Sequence, residues 1–171
     1  GFDTSGRDGV VQTVRVVLPE RLYDGPDRIH AFARGVLDRI HYLPGVTSAS
    51  LINSVPFAMM FIQGDFDIEG QPKPTLYAGA PKIDAGYFKT MGIPVLAGRE
   101  FTERDTADAP KVAIVSERIV RECFPGGPRE ALGRRVRVNV IDRGEWLTVV
   151  GVVADIRQMS LERDVHPMIY V

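Results

Sequence analysis

The most suggestive acidic residues lie in the string DFDIEG at residues 65–70, where three carboxylates alternate with apolar residues ahead of a glycine. An EF-hand calcium loop opens in this way, but it closes with a bidentate glutamate, and the corresponding position here is Leu76. Phe66 and Ile68 separate the acids, as they would in a strand with one buried and one solvated face. The pattern therefore favours an exposed carboxylate face over a calcium site.

The histidines and the single cysteine are the remaining candidate ligands and nucleophiles. His30 and His41 stand on one predicted helix, about 16 Å apart along its axis, which is too far to share a metal ion. His166 is remote in sequence, and Cys123 falls on the apolar side of another predicted helix, where a packed thiol is expected. The sequence lacks the nucleotide-binding, zinc-protease and serine-hydrolase motifs. We therefore predict no catalytic residues, no metal and no cofactor.

Composition narrows the classes of function further. The chain of 171 residues has 21 basic and 22 acidic side chains, so it offers no basic field for nucleic acid, and we predict no nucleic-acid partner. One cysteine excludes an internal disulfide. No stretch approaches the run of about 20 apolar residues that crosses a bilayer. At 44% hydrophobic residues, the chain is typical of a folded domain with its own core.

The run from Val55 to Ile62 is the most unusual apolar segment. It is either a buried strand or an adaptable surface for apolar partners or substrates, a role that methionine and aromatic side chains suit. Both faces of the run are apolar, so periodicity leaves the two interpretations open. The candidate partner or substrate contacts are Phe57, Met59, Met60 and Phe61.

The first third of the chain predicts a strand, an amphipathic helix and a second strand. Apolar residues recur at helical spacing from Asp27 to Leu43, and Pro44-Gly45 ends the pattern. The flanking segments Val10–Leu18 and Val46–Ser54 are rich in β-branched or alternating apolar residues. This order is typical of a βαβ unit.

The middle of the chain, residues 55–83, carries four prolines and predicts β-hairpins. A short helix should follow, with Asp84 as its N-cap and Gly92 at its C-terminal end. The last third predicts a second α/β unit whose helix Ser116 caps. Its expected strands are Lys111–Val115, Arg134–Val140, Trp146–Val153 and Met168–Val171.

Several strings together resemble the MacB-like permeases of ABC transporters, within the FtsX/MacB group. These include GFDTSG, LPGV followed by TSASLINSVPF, and FDIEGQPKP. The densest similarity runs from IDAGYFKTMGIPVLAGREF through CFPGG to WLTVVGVVADIR. The order holds from residue 1 to residue 171, although PREALG stands where the family more often has an Asn-Pro-Leu-Gly turn.

This resemblance implies a single extracytoplasmic, periplasmic core domain over residues 1–171. The implied fold is α+β, with two βαβ-type units forming a membrane-proximal lobe (about 1–54 and 111–171) and an inserted β-rich lobe (about 55–110). Within the strings that carry the resemblance, Gly151 is expected at a bulge or close contact, Phe101 in the core, and Arg99 in an ion pair with Glu103 or Asp105.

The resemblance also implies a function without catalysis. The domain would transmit ATP-driven movement to the handling of substrate or adaptor outside the cytoplasmic membrane. Its partners would be the membrane part of its own chain, a cytoplasmic ATPase, a second permease copy and a periplasmic adaptor. The alternative is an FtsX-like regulatory or sensing module that controls an extracytoplasmic partner without transport. A free-standing enzyme ranks last, since no acid–base pair or nucleophile emerges.

Overall fold

The computed structural model describes residues 11–19, 21–53, 63–106, 108–139, 144–156 and 166–171. In chain order the elements are α1 (Pro26–His41), β1 (Gln63–Ile68), β2 (Tyr77–Gly79), α2 (Tyr87–Met91), β3 (Val95–Gly98), β4 (Val112–Ser116), α3 (Glu117–Cys123), α4 (Pro128–Ala131), β5 (Arg135–Val138), β6 (Leu147–Val153) and β7 (Ile169–Tyr170). A seven-stranded sheet with few helices confirms the predicted α+β class.

Helix α1 confirms the helix predicted from the apolar spacing. It begins with Pro26 at a position where a missing amide costs nothing, and it ends at His41. Arg39 and His41 lie in its last turn, where positive charge interacts favourably with the helix dipole.

The two strands predicted on either side of α1 are wrong for the residues that the structure describes there. Within Val10–Leu18 only Val11 makes a bridge, and within Val46–Ser54 only Ile52 does, by pairing with Ile83. A β-branched sequence needs neighbouring backbone to form a ladder, and among the described residues most of these two segments pairs with no strand.

The centre of the sheet is β6, as its apolar character on both faces predicted. The strand order is β2-β1-β5-β6-β4-β7, and β3 pairs with β6 beyond the end of β5. Strands β4 and β6 are parallel, and α3 and α4 lie between them in sequence. This arrangement is the second predicted α/β unit, since a parallel pair requires a crossover connection.

The sheet curls until its two terminal strands meet. The amide of Gly79 in β2 donates to the carbonyl of Pro167 at 2.9 Å, and Gly79 bridges Met168. Beyond β2, Pro81 accepts a hydrogen bond of 3.1 Å from the Val171 amide. Strand edges that would template aggregation are thereby paired. Strands from the middle and the last third of the chain share this one sheet, and the division into two lobes stays a prediction.

Two groups of buried side chains form the core. The larger lies between the curled sheet and α3, and contains Phe66, Val136, Ile119 and Phe124. The smaller lies against α2 and includes Tyr87, Phe88 and Tyr170. Phe101 packs against this second group, as predicted for a core anchor.

Candidate functional site

The residues predicted to contact a partner or substrate, Phe57, Met59, Met60 and Phe61, lie outside the described residues. Their role stays a prediction, but the residues that flank them can be placed.

Both flanks of this segment are anchored to the same stretch of chain. On one side, Asn53 donates its amide to the Lys82 carbonyl at 3.0 Å, and its side-chain oxygen accepts from the Lys82 amide at 2.9 Å. On the other side, Gln63 pairs with Gly79 in the β1–β2 ladder. Gly79 and Lys82 are at most about 11 Å apart along the backbone. The candidate segment therefore leaves from, and returns to, one site on the sheet.

The outer face of β1 carries the acidic string that resembled a calcium loop. Asp67 forms an ion pair with Arg137 at 2.7 Å, and Glu69 pairs with Arg135 at 3.1 Å. Asp65 is bound by Lys73, which holds the pKa of Asp65 below its usual range. These acids thus serve as partners of basic side chains on a solvated face.

The buried side of the same strand confirms the predicted alternation. Phe66 and Ile68 are buried, and they pair across the ladder with Val138 and Val136. The strand is therefore fixed by its apolar face, as the period of two predicted.

Two glycines allow an unusually close approach at the centre of the fold. Gly98 of β3 pairs with Gly151 of β6, beside a register shift in each of the two ladders that β6 makes with β3 and β4. A Cβ atom on Gly151 would overlap the carbonyl oxygen of Arg99, and one on Gly98 would overlap that of Val150. The predicted close contact at Gly151 is confirmed, and it lets the chain after β3 lie directly on β6.

The chain that leaves this contact is held by a charged clamp. The Arg99 guanidinium donates to both oxygens of Asp105, at 2.7 and 2.8 Å. Asp105 also accepts hydrogen bonds from the amide and hydroxyl of Thr102, at 2.7 and 3.0 Å. Arg99 above all holds the pKa of Asp105 well below its usual range. Asp105 is therefore the partner of Arg99, one of the two residues predicted for this ion pair.

Ser116 lies at the N-cap position of α3, as predicted, but its side chain makes no capping hydrogen bond. The Ser116 hydroxyl is buried against β7, where it accepts the amide of Met168 at 3.0 Å. The free amide at the start of α3, that of Arg118, donates instead to Asp155 at 2.7 Å. Asp155 also pairs with Arg121 at 3.3 Å. Sequence reasoning missed this role, although an acid directly after a buried strand was a signal for it.

Asp84 was predicted to cap α2, and this prediction is wrong. The N-cap is Gly86 in a left-handed conformation, while the Asp84 amide donates to Leu51 at 3.2 Å. The Asp84 side chain turns inward, and within the described part of the chain its Oδ1 is buried without a hydrogen-bond partner. Burial raises the pKa of Asp84 to about 6. Gly92 ends α2 in a left-handed conformation, as predicted.

The raised pKa of Asp84 predicts a pH-dependent stability. The native state binds the Asp84 proton more tightly than the unfolded chain, so stability is highest below pH 4 for this group and declines as pH rises towards 6. We expect Asp84→Asn to raise the free energy of unfolding at pH 7.5 by about 1 kcal/mol, a value discounted for partial exposure, with little change at pH 4. Urea unfolding at the two pH values measures this; equal effects at both would contradict it.

An aromatic cluster lies next to Asp84 along the chain. The Phe88 ring meets the Tyr170 ring edge to face at a centroid distance of 4.8 Å, and the Tyr87 ring lies 5.6 Å from Phe88. All three rings are buried, and burial raises the pKa of the Tyr170 hydroxyl. The cluster joins α2 to the terminal strand β7.

The remaining candidate ligands are dispersed. His30 and His41 are exposed on α1, His166 is exposed before β7, and Cys123 is half-buried in α3 with its pKa raised by burial. Among the residues placed by the structure, no group of three or more His, Cys, Asp or Glu side chains could hold a metal ion. None of the described helices is long and apolar enough to cross a membrane.

Comparison with known proteins gives this fold a family. No curated protein matches the sequence. The periplasmic region of MacB from Actinobacillus actinomycetemcomitans superimposes with a TM-score of 0.51 at 17% identity, over 81% of this chain and 53% of that one. A domain of a putative permease from Porphyromonas gingivalis superimposes with a TM-score of 0.52 at 17% identity, over 80% of this chain and 55% of that one.

The extracellular domain of the noncanonic ABC-type transporter YknZ from Gram-positive bacteria gives a TM-score of 0.52 at 18% identity, over 82% of this chain and 62% of that one. The chain thus spans roughly half to three-fifths of the structures it resembles. At these identities the likeness shows the fold alone. The sequence itself matches the MacB-like periplasmic core domain over residues 2–171. The family comprises extracytoplasmic domains of transporter permeases and is not a family of enzymes. This chain belongs to the MacB-like periplasmic core domain family.

Proposed function

We propose that the domain transmits ATP-driven movement from the membrane part of its permease to the handling of substrate or adaptor outside the cytoplasmic membrane. The observation that carries this proposal is the family match over residues 2–171. A cytoplasmic ATPase, a second permease copy and a periplasmic adaptor are the partners that this function requires.

The packing supports a body that moves as a unit. The curled sheet pairs β2 with β7, the glycine contact locks β3 onto β6, and the Arg99–Asp105 clamp holds the loop that follows. Close-packed interiors resist deformation and pass strain on. A displacement applied to one end of such a sheet would therefore reach its other end with little loss.

The movement can be tested directly in the complete transporter. A spin label at Tyr77→Cys, a 65% exposed site on β2 of the curled sheet, with Cys123 replaced by serine, would report the distance between the domains of two permease copies. We expect a shift of several ångströms between the nucleotide-free and ATP-bound states, about the scale of known domain movements. An identical distance in both states would contradict transmission and favour the regulatory alternative.

We propose that Phe57, Met59, Met60 and Phe61 form the contact surface for a partner or substrate. The anchored flanks support this, because Asn53 and Gln63 hold both ends of the segment on the sheet while its apolar side chains offer adaptable contact area. Movement of the sheet would then carry the contact surface with it.

Met59→Ser combined with Met60→Ser should weaken capture of the periplasmic adaptor by the complete permease about 10-fold or more, since contact methionines contribute about 1–3 kcal/mol each. The isolated chain should keep its thermal unfolding midpoint. Leu96→Ser, at a 43% exposed position on β3, is the matched control and should leave adaptor capture unchanged. Collapse of the fold in the double variant would show that the segment is core.

A further inference from the structure

The first third of the chain is linked to the sheet at a short antiparallel pairing. Residues 51–53 lie beside residues 82–84 and are bridged at their centres, and we call these two segments the joint. On the other side of the joint, the Ile83 amide donates to the carbonyl of Val171 at 3.1 Å. Among the described residues, the backbone hydrogen bonds that connect residues 11–53 to the later chain all lie in the joint. Opening the joint would therefore break this backbone link and leave the ladders of the sheet intact.

The two ends of the joint differ in how well their polar groups are satisfied. At one end, the Asn53 side chain and backbone both bond Lys82, at 2.9 and 3.0 Å. At the other end, the Asp84 amide donates to Leu51 at 3.2 Å, but the Asp84 side chain turns inward. Its Oδ1 is buried and has no hydrogen-bond partner among the residues that the structure places. A buried oxygen without a donor is most costly when it carries charge, so the joint is weakest at Asp84.

The charged and titratable groups around Asp84 come from three parts of the chain. His41, at the end of α1, favours the ionised carboxylate and lowers its pKa. Helix α2 brings Tyr87, whose amide donates to the Asp84 carbonyl at 3.4 Å, and Lys82 lies two residues earlier with its side chain exposed. Residues 51–53 carry no titratable side chain. Burial outweighs the attraction of His41 and raises the pKa of Asp84 to about 6.

We propose that the joint is a pH-sensitive latch, which stays closed while Asp84 is protonated and opens more often once Asp84 is ionised. A neutral carboxyl can remain buried at modest cost, whereas a carboxylate regains its hydration only when the joint opens. Opening would also release Asn53, one of the two anchors of the segment that contains Met59 and Met60. The proposal concerns local opening of the folded domain, and it is independent of whether the domain transmits movement.

The direction of the pH dependence follows from the two states of the carboxyl. In the open joint Asp84 has its ordinary pKa of 3.8, and in the closed joint its pKa is about 6. The closed joint therefore binds the proton more tightly, so it is most favoured below pH 4 and loses this advantage as the pH rises towards 6. Because Asp84 is only half-buried, we expect the ratio of closed to open joint to fall about 3- to 5-fold between about pH 4.5 and about pH 7.5.

Hydrogen exchange in the complete permease tests the latch, once the rates are corrected for the intrinsic effect of pH on exchange. The amides of Asn53 and Asp84 report the joint, and their protection should fall about 3- to 5-fold over this pH range, with a midpoint near pH 6. They should exchange faster than the amides of β6 and depend little on low concentrations of urea, since local opening exposes little surface. Exchange of the joint at the rate and with the urea dependence of β6 would overturn the proposal, because the joint would then open only when the whole domain unfolds.

Three variants assign the effect to Asp84. Asp84→Asn should keep the joint equally protected at both pH values, because the side chain no longer ionises. His41→Gln should move the midpoint to higher pH, because the positive charge that favours the carboxylate is lost. Asp38→Asn, on the exposed face of α1, is the matched control and should leave the profile unchanged. A joint whose protection does not change with pH, or a pH dependence that persists in Asp84→Asn, would overturn the proposal.

Discussion

Replacing Gly151 with alanine is expected to lower the free energy of unfolding by about 2–4 kcal/mol, because the new methyl group would overlap the backbone carbonyl of Arg99. Backbone cannot rotate away as a side chain can, so β3 and the following residue must separate from β6. The hydrogen bond from the Arg99 amide to Val150, 3.0 Å long, would be lost with it. The thermal midpoint should fall by about 5–15 °C.

Gly35→Ala is the matched control for this substitution. Gly35 lies within α1, and nothing approaches the position of its Cβ within 4 Å. Alanine there should raise stability by about 0.5–1 kcal/mol, because glycine is a poor helix former. If Gly151→Ala unfolds at the same urea concentration as the natural chain, the close contact between β6 and Arg99 is not rigid.

Phe88→Ala is expected to lower the free energy of unfolding by about 3–5 kcal/mol, more than Gly151→Ala does. Phe88 is 1% exposed and is in edge-to-face contact with Tyr170. The cavity would detach α2 from β7 and weaken the join between the two ends of the curled sheet. Urea unfolding followed by tryptophan fluorescence and by circular dichroism measures the loss and tests for a single transition.

Tyr77→Ala is the control for removal of an aromatic ring. Tyr77 lies in β2 but is 65% exposed, so its ring contributes little buried area. We expect a change below about 1 kcal/mol. A loss at Phe88 no larger than that at Tyr77 would mean that the aromatic cluster does not stabilise the fold.

Periodic and local patterns predicted much of this structure. The spacing of apolar residues identified α1 within a few residues, and the period of two identified the buried face of β1 through Phe66 and Ile68. Gly92 at the end of α2 was predictable because only glycine enters the left-handed conformation at low cost. Such signals are local, since they depend on geometry within one turn or one strand.

Predictions that required knowledge of a neighbour were less successful. Asp84 and Ser116 both have the residue type of an N-cap, yet the Asp84 side chain turns inward and the Ser116 hydroxyl accepts the amide of Met168. Asp155 caps α3 by accepting the amide of Arg118, 37 residues earlier in the chain. The two residues meet only because β4 and β6 lie side by side. The strands predicted beside α1 failed for the same reason, because a strand exists only where other backbone completes its ladder.

The sequence by itself determined the class of the fold, the family and the helices and strands whose patterns are internal to a short segment. The tertiary structure decided which donor bonds which acceptor, as in the Arg99–Asp105 clamp. It also decided that the Asp84 carboxyl is half-buried. It decided further that the sheet closes on itself through Gly79 and Met168, while the apolar side chains of α1 are only half-buried among the residues that the structure describes. The physical reason is the separation in sequence of the residues involved. Periodicity indicates which face of one helix or strand is apolar, whereas burial and hydrogen bonding depend on contacts between residues far apart in the chain.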